Sequence, residues 1–239
     1  MQKPVLSIII PAYNEAHHIG ACLASLKKQS LREPYEIIVV DNNSKDATSD
    51  VAKKYIQLVF LEQKPGASNA RNTGVRRAKS ELLVFVDADC VVPSDYLKKI
   101  QVTFREHPSI AAVGGPYSFT DVGKFYTWIF PQGKDYIYMF ALLHAVFGVQ
   151  LIIGGNLAIR RDALAKAGGF DGKIHDVTQM DDLTLAIRLH QKHLKVLFDP
   201  ALTVLTQLRA DERSLFKDIV SRTYYLLGRL TKYALFKTV

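Results

Sequence analysis

The chain has 239 residues, 48% hydrophobic and 23% charged, with 31 Lys and Arg against 23 Asp and Glu for a net charge of +8. This near-average balance excludes long disorder, and 14 Gly and 9 Pro without a repeat exclude collagen-like and low-complexity architectures. Two cysteines, Cys22 and Cys90, are too few for a disulfide framework and point to a reducing compartment.

One domain, with or without an appendage, is expected at this length. Met1-Gln2-Lys3-Pro4 and the apolar run Val5–Ile10 lack a small-residue cleavage site and are interrupted by Asn14 and Glu15, so they do not read as a signal peptide. The basic excess leaves three anionic partners open: nucleic acid, a membrane surface or a nucleotide-like substrate. No RNP-type aromatic motif, zinc-ligand spacing or helix-turn-helix signal supports nucleic acid.

Val5–Ile10, Glu36–Val40, Leu58–Leu61, Leu82–Val86 and Ala111–Val113 read as strands, several apolar throughout as in a sheet covered on both faces. Helical stretches lie between them at Ala16–Lys28, Ala47–Lys54, Ala67–Ala78 and Pro93–Glu106. This alternation predicts an α/β fold with a doubly wound, mostly parallel sheet, in which ligands sit beyond the carboxyl ends of the strands. Tyr136–Ile159 carries no Asp, Glu, Lys or Arg. It reads as a buried or interfacial helix rather than a membrane span, because Gln150 and Gly154-Gly155-Asn156 break it. Helices at Asp162–Ala167 and Asp181–Gln191, strands near Lys195–Phe198 and Leu202–Leu205, and a terminal helix from about Glu212 complete the pattern.

Polar residues gather at the predicted strand ends. Neither Pro11-Ala12-Tyr13-Asn14-Glu15 nor Asp41-Asn42-Asn43-Ser44-Lys45-Asp46 follows G-x-G-x-x-G, and no G-x-x-x-x-G-K-[ST] occurs, which removes NAD-type dinucleotide folds and P-loop NTPases. Tyr13 offers a flat face for a base, and Asp41 and Asn42 offer hydrogen bonds to base or ribose; equally, Ser44 or Asp46 fits as a helix N-cap. Asp87-Ala88-Asp89 places two carboxylates at the end of an apolar strand, where Mg²⁺ or Mn²⁺ bridging to phosphates would offset their repulsion. An acidic turn before the helix that follows Ser94 is the plainer alternative. Asp181 and Asp182 open a helix whose dipole favours acids by about 0.3–1 kcal/mol, so they fit either a helix start or a general base.

In order, these segments resemble the family 2 glycosyltransferases, inverting enzymes of the GT-A fold. The resemblance runs from Ser7 to about Leu205 and also takes in Gly66-Ala67-Ser68-Asn69-Ala70-Arg71-Asn72-Thr73-Gly74, Gly154-Gly155-Asn156, Gly168-Gly169-Phe170-Asp171 and Asp181-Asp182 followed by Arg188-Leu189. It implies that Pro11, Tyr13, Glu15, Asp41, Asn42 and Arg71 line a nucleotide-sugar site, that Asp87 faces the ribose or the metal, and that Asp89 binds the metal. Gly155, Asn156 and Asp181 would lie on the sugar or acceptor side, and Asp182 would be the catalytic base. The implied reaction moves one sugar from a nucleotide-diphosphate donor to an acceptor hydroxyl, with inversion.

Three positions depart from the family pattern. Residue 181 is Asp where Glu is usual. Gln-x-x-Arg-Trp is absent, the single tryptophan being Trp128, which argues against processive synthesis. Thr203-Val204-Leu205-Thr206-Gln207 lacks a His that many relatives carry there. A haloacid dehalogenase-type phosphatase using Asp87 as nucleophile is the main rival, followed by a sugar-nucleotide pyrophosphorylase and a non-catalytic carbohydrate- or membrane-binding module.

The expected organisation is a catalytic domain over 1–213, with a nucleotide-binding half to about 115 and an acceptor half over 116–213, then a basic amphipathic helix over 214–239. Lys217, Arg222, Arg229 and Lys232 fall within an arc of about 140° on that helix. The segment holds half the net charge of the chain. It reads either as a helix packed on the core with a solvated basic face or as one docked on anionic lipid, the latter pointing to a cytoplasmic protein peripheral at the inner face of the cell membrane near a lipid-linked acceptor.

Overall fold

Continuous apolar strands require cover on both faces, and the computed structural model provides it. It describes residues 2–119, 149–150, 152–172, 181–206, 228 and 231. Strand β1 (Leu6–Ala12) leads to α1 (Ile19–Lys27), β2 (Tyr35–Asp41), α2 (Thr48–Lys53), β3 (Val59–Leu61), α3 (Ala67–Arg77) and β4 (Leu82–Val86). There follow α4 (Tyr96–Glu106), β5 (Ile110–Gly114), β6 (Tyr117–Phe119), β7 (Asn156–Arg160), α5 (Arg161–Lys166), α6 (Asp181–Gln191), β8 (Lys195–Phe198) and β9 (Val204–Thr206).

Among the described residues, seven strands form one sheet in the order β3-β2-β1-β4-β7-β5-β8, and β6 pairs with β9 apart from it. Only β7 runs antiparallel to its neighbours in the large sheet. Side chains alternate between two cores. Ile8, Ile10, Val84 and Val86 pack with Leu23 and Leu26 of α1 on one face, while Ile9, Leu83 and Phe85 pack with Leu164 of α5 and Leu185 of α6 on the other. Each such side chain contributes about 1.5–3 kcal/mol by leaving water. Helix α3 lies so close to β1 that a Cβ on Gly74 would overlap Ile9 Cγ2, which is why the helix face carries glycine there.

The nine elements expected before residue 115 are all present, with ends shifted by three residues or fewer. The end of the apolar stretch needs correction: beyond the expected break at Gly154-Gly155-Asn156 no strand was anticipated, and Asn156–Arg160 forms strand β7. Leu157, Ala158 and Ile159 are buried because β7 is held between β4 and β5, and such a run reads alike in a buried strand and a buried helix. Residues 136–148 and 151 of that stretch lie outside the described residues. The strand expected near Leu202–Leu205 runs from Val204 to Thr206 and pairs with β6, which the sequence reading did not anticipate. The basic terminal helix lies outside the described residues except for Gly228 and Thr231.

Candidate active site

Because β7 is reversed, its first residue lies where the parallel strands end. Val86 is paired with Asn156, so the turn Gly154-Gly155 sits beside Asp87 just beyond β4. At that same edge β1 runs out into Tyr13, 53% exposed, and β2 into Asp41 and Asn42, both buried. Two positive-φ asparagines, Asn14 (φ 56) and Asn43 (φ 62), turn the chain after those strands. Hydrogen bonds then join the two loops: Asn14 N donates to Ser44 Oγ, and Lys45 N donates to Asn14 Oδ1.

Helix α3 supplies the centre of the site. Arg71, 6% exposed, donates from Nη1 to Asp181 Oδ2 (2.8 Å) and from Nη2 to Asp87 Oδ1 (3.0 Å). Ser68 Oγ donates to the same Asp181 oxygen at 2.7 Å. Asn72 bonds both the carbonyl and the N–H of Phe170, and Asn69 Nδ2 donates to the carbonyls of Pro65 and Gly172. The Phe170 ring packs edge-on against Phe85 at 4.9 Å and lies 5.4 Å below the Arg71 guanidinium carbon. Arg188 of α6 pairs with Asp171 at 3.2 Å. The Gly66–Gly74 and Gly168–Asp171 motifs are therefore stitched to each other.

Asp87 also accepts from the Tyr117 hydroxyl at 3.1 Å. Burial pushes the Asp87 carboxyl up, against the opposing pull of Arg71; burial and the Asp87 charge push the Tyr117 hydroxyl up, so it stays a donor. Asp89, on the same loop, accepts a weak bond from Cys90 Sγ (3.6 Å). Asp182 starts α6 beside Asp181. Its Oδ2 accepts from Gly154 N (3.2 Å) and its Oδ1 from Leu183 N (2.8 Å). Burial, then the Asp181 charge, raise the Asp182 carboxyl to about 6. Among the described residues the site thus brings together a buried guanidinium, the acids of the Asp87-Ala88-Asp89 turn and a carboxyl raised toward neutrality, as a proton acceptor requires.

Several residues expected at the site also bond within its loops. Asn42 Nδ2 donates to the carbonyls of Glu62 and Lys64, while its Oδ1 accepts from Gly66 N. Asn156, 1% exposed, accepts from the Tyr96 hydroxyl and donates to the carbonyls of Pro116 and Leu202. Both amides face inward and hold the edge in shape. Asp41 Oδ1 accepts from Ser44 N, and buried Glu15 pairs with His18 Nδ1 at 3.1 Å. The N-cap of α2 is Ala47, without a side-chain cap bond, and not the expected Ser44 or Asp46: Ser44 Oγ is taken by Asn14 N, and Asp46, one residue before the cap, accepts from Thr48 N. Pro11, in β1, is half-buried and opposite Val40. Tyr117 was missed: its three-residue strand carries no periodic signal. Ser68 lies inside a motif already singled out, with no cue to its partner.

A Cβ on Gly155 would overlap both Asp87 Oδ2 and the Tyr117 hydroxyl. Gly155→Ala is therefore expected to displace the Asp87 carboxylate and to cost about 1–3 kcal/mol, as overpacking does. Its melting temperature checks this: a value equal to the parent's would show that the turn has room.

A model of glycosyl transferase family 2 matches residues 7–168. An uncharacterized glycosyltransferase of Haemophilus influenzae is 28% identical over 207 residues, 83% of this chain and 64% of its own. Glycosyltransferase AglE of Haloferax volcanii is 33% identical over 124 residues, 49% of this chain and 40% of its own. Among solved structures, the mannosyltransferase PcManGT from Pyrobaculum calidifontis, in complex with GDP-Man and Mn²⁺, aligns with a TM-score of 0.69 at 23% identity, over 95% of this chain and 63% of that one. TarS of S. aureus with UDP-GlcNAc aligns at 0.65 and 20% identity, over 87% and 59%. The chain spans less than two thirds of the length of each of these proteins. The fold is GT-A, and the phosphatase and pyrophosphorylase alternatives fall away. The family match takes in the residues expected on the nucleotide side and the Gly155 turn and stops short of Asp181 and Asp182, and by its extent the chain belongs to glycosyl transferase family 2.

Proposed function

We propose that this glycosyltransferase transfers a single sugar, with inversion, from a nucleotide-diphosphate sugar to an acceptor hydroxyl, with Asp182 as general base. The observation that carries the reading is the Asp182 carboxyl, raised to about 6 and facing the same edge of the sheet as Asp87 and Asp89. At neutral pH its carboxylate takes the hydroxyl proton as the acceptor oxygen bonds to the anomeric carbon. The bond from that carbon to the diphosphate breaks on the opposite side, and the electron pair leaves with the nucleotide. Tyr13, Pro11, Asp41 and Glu15 shape the nucleotide end of the edge, with Asn42 and Asn156 acting from behind it.

A divalent cation fits the donor set. Among the described residues no three His, Cys, Asp or Glu converge on a metal position; the Asp89 carboxylate would offer hard oxygens to such an ion, with phosphate and water completing its shell, as Mg²⁺ prefers. Bound there, Mg²⁺ or Mn²⁺ would supply charge stabilisation to the departing diphosphate. PcManGT was solved with GDP-Man and Mn²⁺, which supports the same pairing here.

The test is a thermal-shift panel of nucleotide diphosphates and their sugars with and without Mn²⁺. One nucleotide is expected to raise the melting temperature only when Mn²⁺ is present, by about 2.7 kcal/mol equivalent at a hundredfold excess over Kd. Asp89→Ala should lose that metal-dependent part. Stabilisation by inorganic phosphate alone, with no response to any nucleotide, would sink the reading.

The acceptor follows from charge. Residues 214–239 hold five Lys or Arg and one Asp, which supports a cytoplasmic enzyme docked on anionic lipid at the inner face of the cell membrane and acting on a lipid-linked hydroxyl. Of the described residues, no helix is long and apolar enough to cross a membrane.

A further inference from the structure

The resemblance places Arg71 on the nucleotide; in the structure its guanidinium is taken up by two acids of the protein. Its side chain is 7% exposed, its two terminal nitrogens are bonded to acids from two different elements, and its Nε is buried with no hydrogen-bond partner. A guanidinium that leaves Nε unpaired in order to reach both Asp87 and Asp181 is oriented by those acids. The Phe170 ring covers one side of it, and the Gly154 turn packs close beside it. It spans from the end of β4, on the donor side, to the first residue of α6, next to the base.

We propose that Arg71 is a positioning residue for the transfer reaction: by pairing at once with Asp87 and Asp181 it sets the base helix against the donor edge and keeps the Asp182 carboxylate available for the acceptor proton. Asp181 is then the anchor of that helix rather than a contact for the acceptor, with Ser68 as its second support. Its short side chain suits this task. The inference rests on the assignment of Asp182 as base. Asp181 on its own helix and Arg71 from α3 are the charged groups acting most strongly on Asp182, while the N–H groups of Gly154 and Leu183 bond it. Asp181 disfavours the carboxylate and Arg71 favours it, so removing Arg71 must make Asp182 harder to ionise.

The test uses the full chain labelled with ¹³C at the aspartate carboxyls, the Asp182 signal being identified by its loss in Asp182→Asn. In Arg71→Gln the Asp182 titration midpoint is expected to rise by about one unit, roughly tenfold less carboxylate at a given pH below it. Arg71→Gln/Asp87→Asn, which keeps the charge balance if the single variant fails to fold, should show the same rise. Arg71→Lys restores the charge but places it at one acid, because an ammonium lacks the two-pronged geometry. Its midpoint should return toward the parent's, while kcat for hydrolysis of GDP-mannose or UDP-GlcNAc, whichever the thermal panel selects, stays down at least about tenfold with KM within about threefold. An unchanged midpoint in folded Arg71→Gln or Arg71→Gln/Asp87→Asn would overturn the inference. So would a KM increase with kcat unchanged, which would return Arg71 to the nucleotide. Turnover surviving in Asp182→Asn would overturn the base assignment instead, and the two failures are read from different measurements.

Discussion

Asp182→Asn is expected to lower kcat by about 10²–10⁴, the share that general base catalysis supplies, while the affinity for the nucleotide sugar stays unchanged. The amide keeps the size of the carboxylate and cannot accept the proton. In the parent, activity requires the ionised form of a group that titrates at about 6. Below that pH kcat should fall about tenfold per unit, and above it the profile should be flat on the acid side. Stability runs the other way. The folded-state value lies above the ordinary 3.8, so the folded protein holds this proton more tightly than the unfolded chain. The contribution favours folding below pH 4 and is lost as pH rises toward 6, by about 3 kcal/mol when complete. Asn removes that cost and gives up a hydrogen bond worth about 1–3 kcal/mol. The melting temperature at pH 7.5 should therefore equal or exceed the parent's while turnover is gone; kcat within about twofold of the parent would remove Asp182 from the chemistry.

Arg71→Met should be the most damaging single change to the fold. It removes the buried cation shared by two half-buried acids, Asp87 (side chain 35% exposed) and Asp181 (15%), and breaking a buried ion pair costs up to about 3–5 kcal/mol. For a chain of this length that is a fall in melting temperature of about 6–20 °C. Adding Asp87→Asn removes one of the stranded charges and should recover part of the loss. A drop below about 2 °C for the single variant would mean that the bridge adds nothing to stability.

Where pattern and packing agree, the sequence was readable: Leu82–Val86, Asp181–Gln191 and Lys195–Phe198 have the ends that apolar runs and helix-start acids predict. Strand β7 escaped because a central strand bearing no charge between Asn156 and Ile159 carries no period-two signal. The resemblance located the site's segments but not the direction in which their polar groups face. Asn42 and Asn156 have the residue type of a ligand contact, and their amides are used by backbone carbonyls of the protein. Arg71 was visible as a cation in a motif. That its partners lie 16 and 110 positions away is a property of the β4–β7 register and the α3 docking, which no local pattern encodes.

The reversed strand also sets an order of assembly. Strands β1 to β4 are built from a continuous run of chain, whereas β4 keeps an unpaired edge until Asn156–Arg160 arrives some 70 residues later. Pairing over such separations is slow compared with local folding. On a ribosome adding about 5–20 residues per second, the emerging chain therefore spends several seconds with that edge open, and a holdase bound there would act before the glycine turn reaches Asp87.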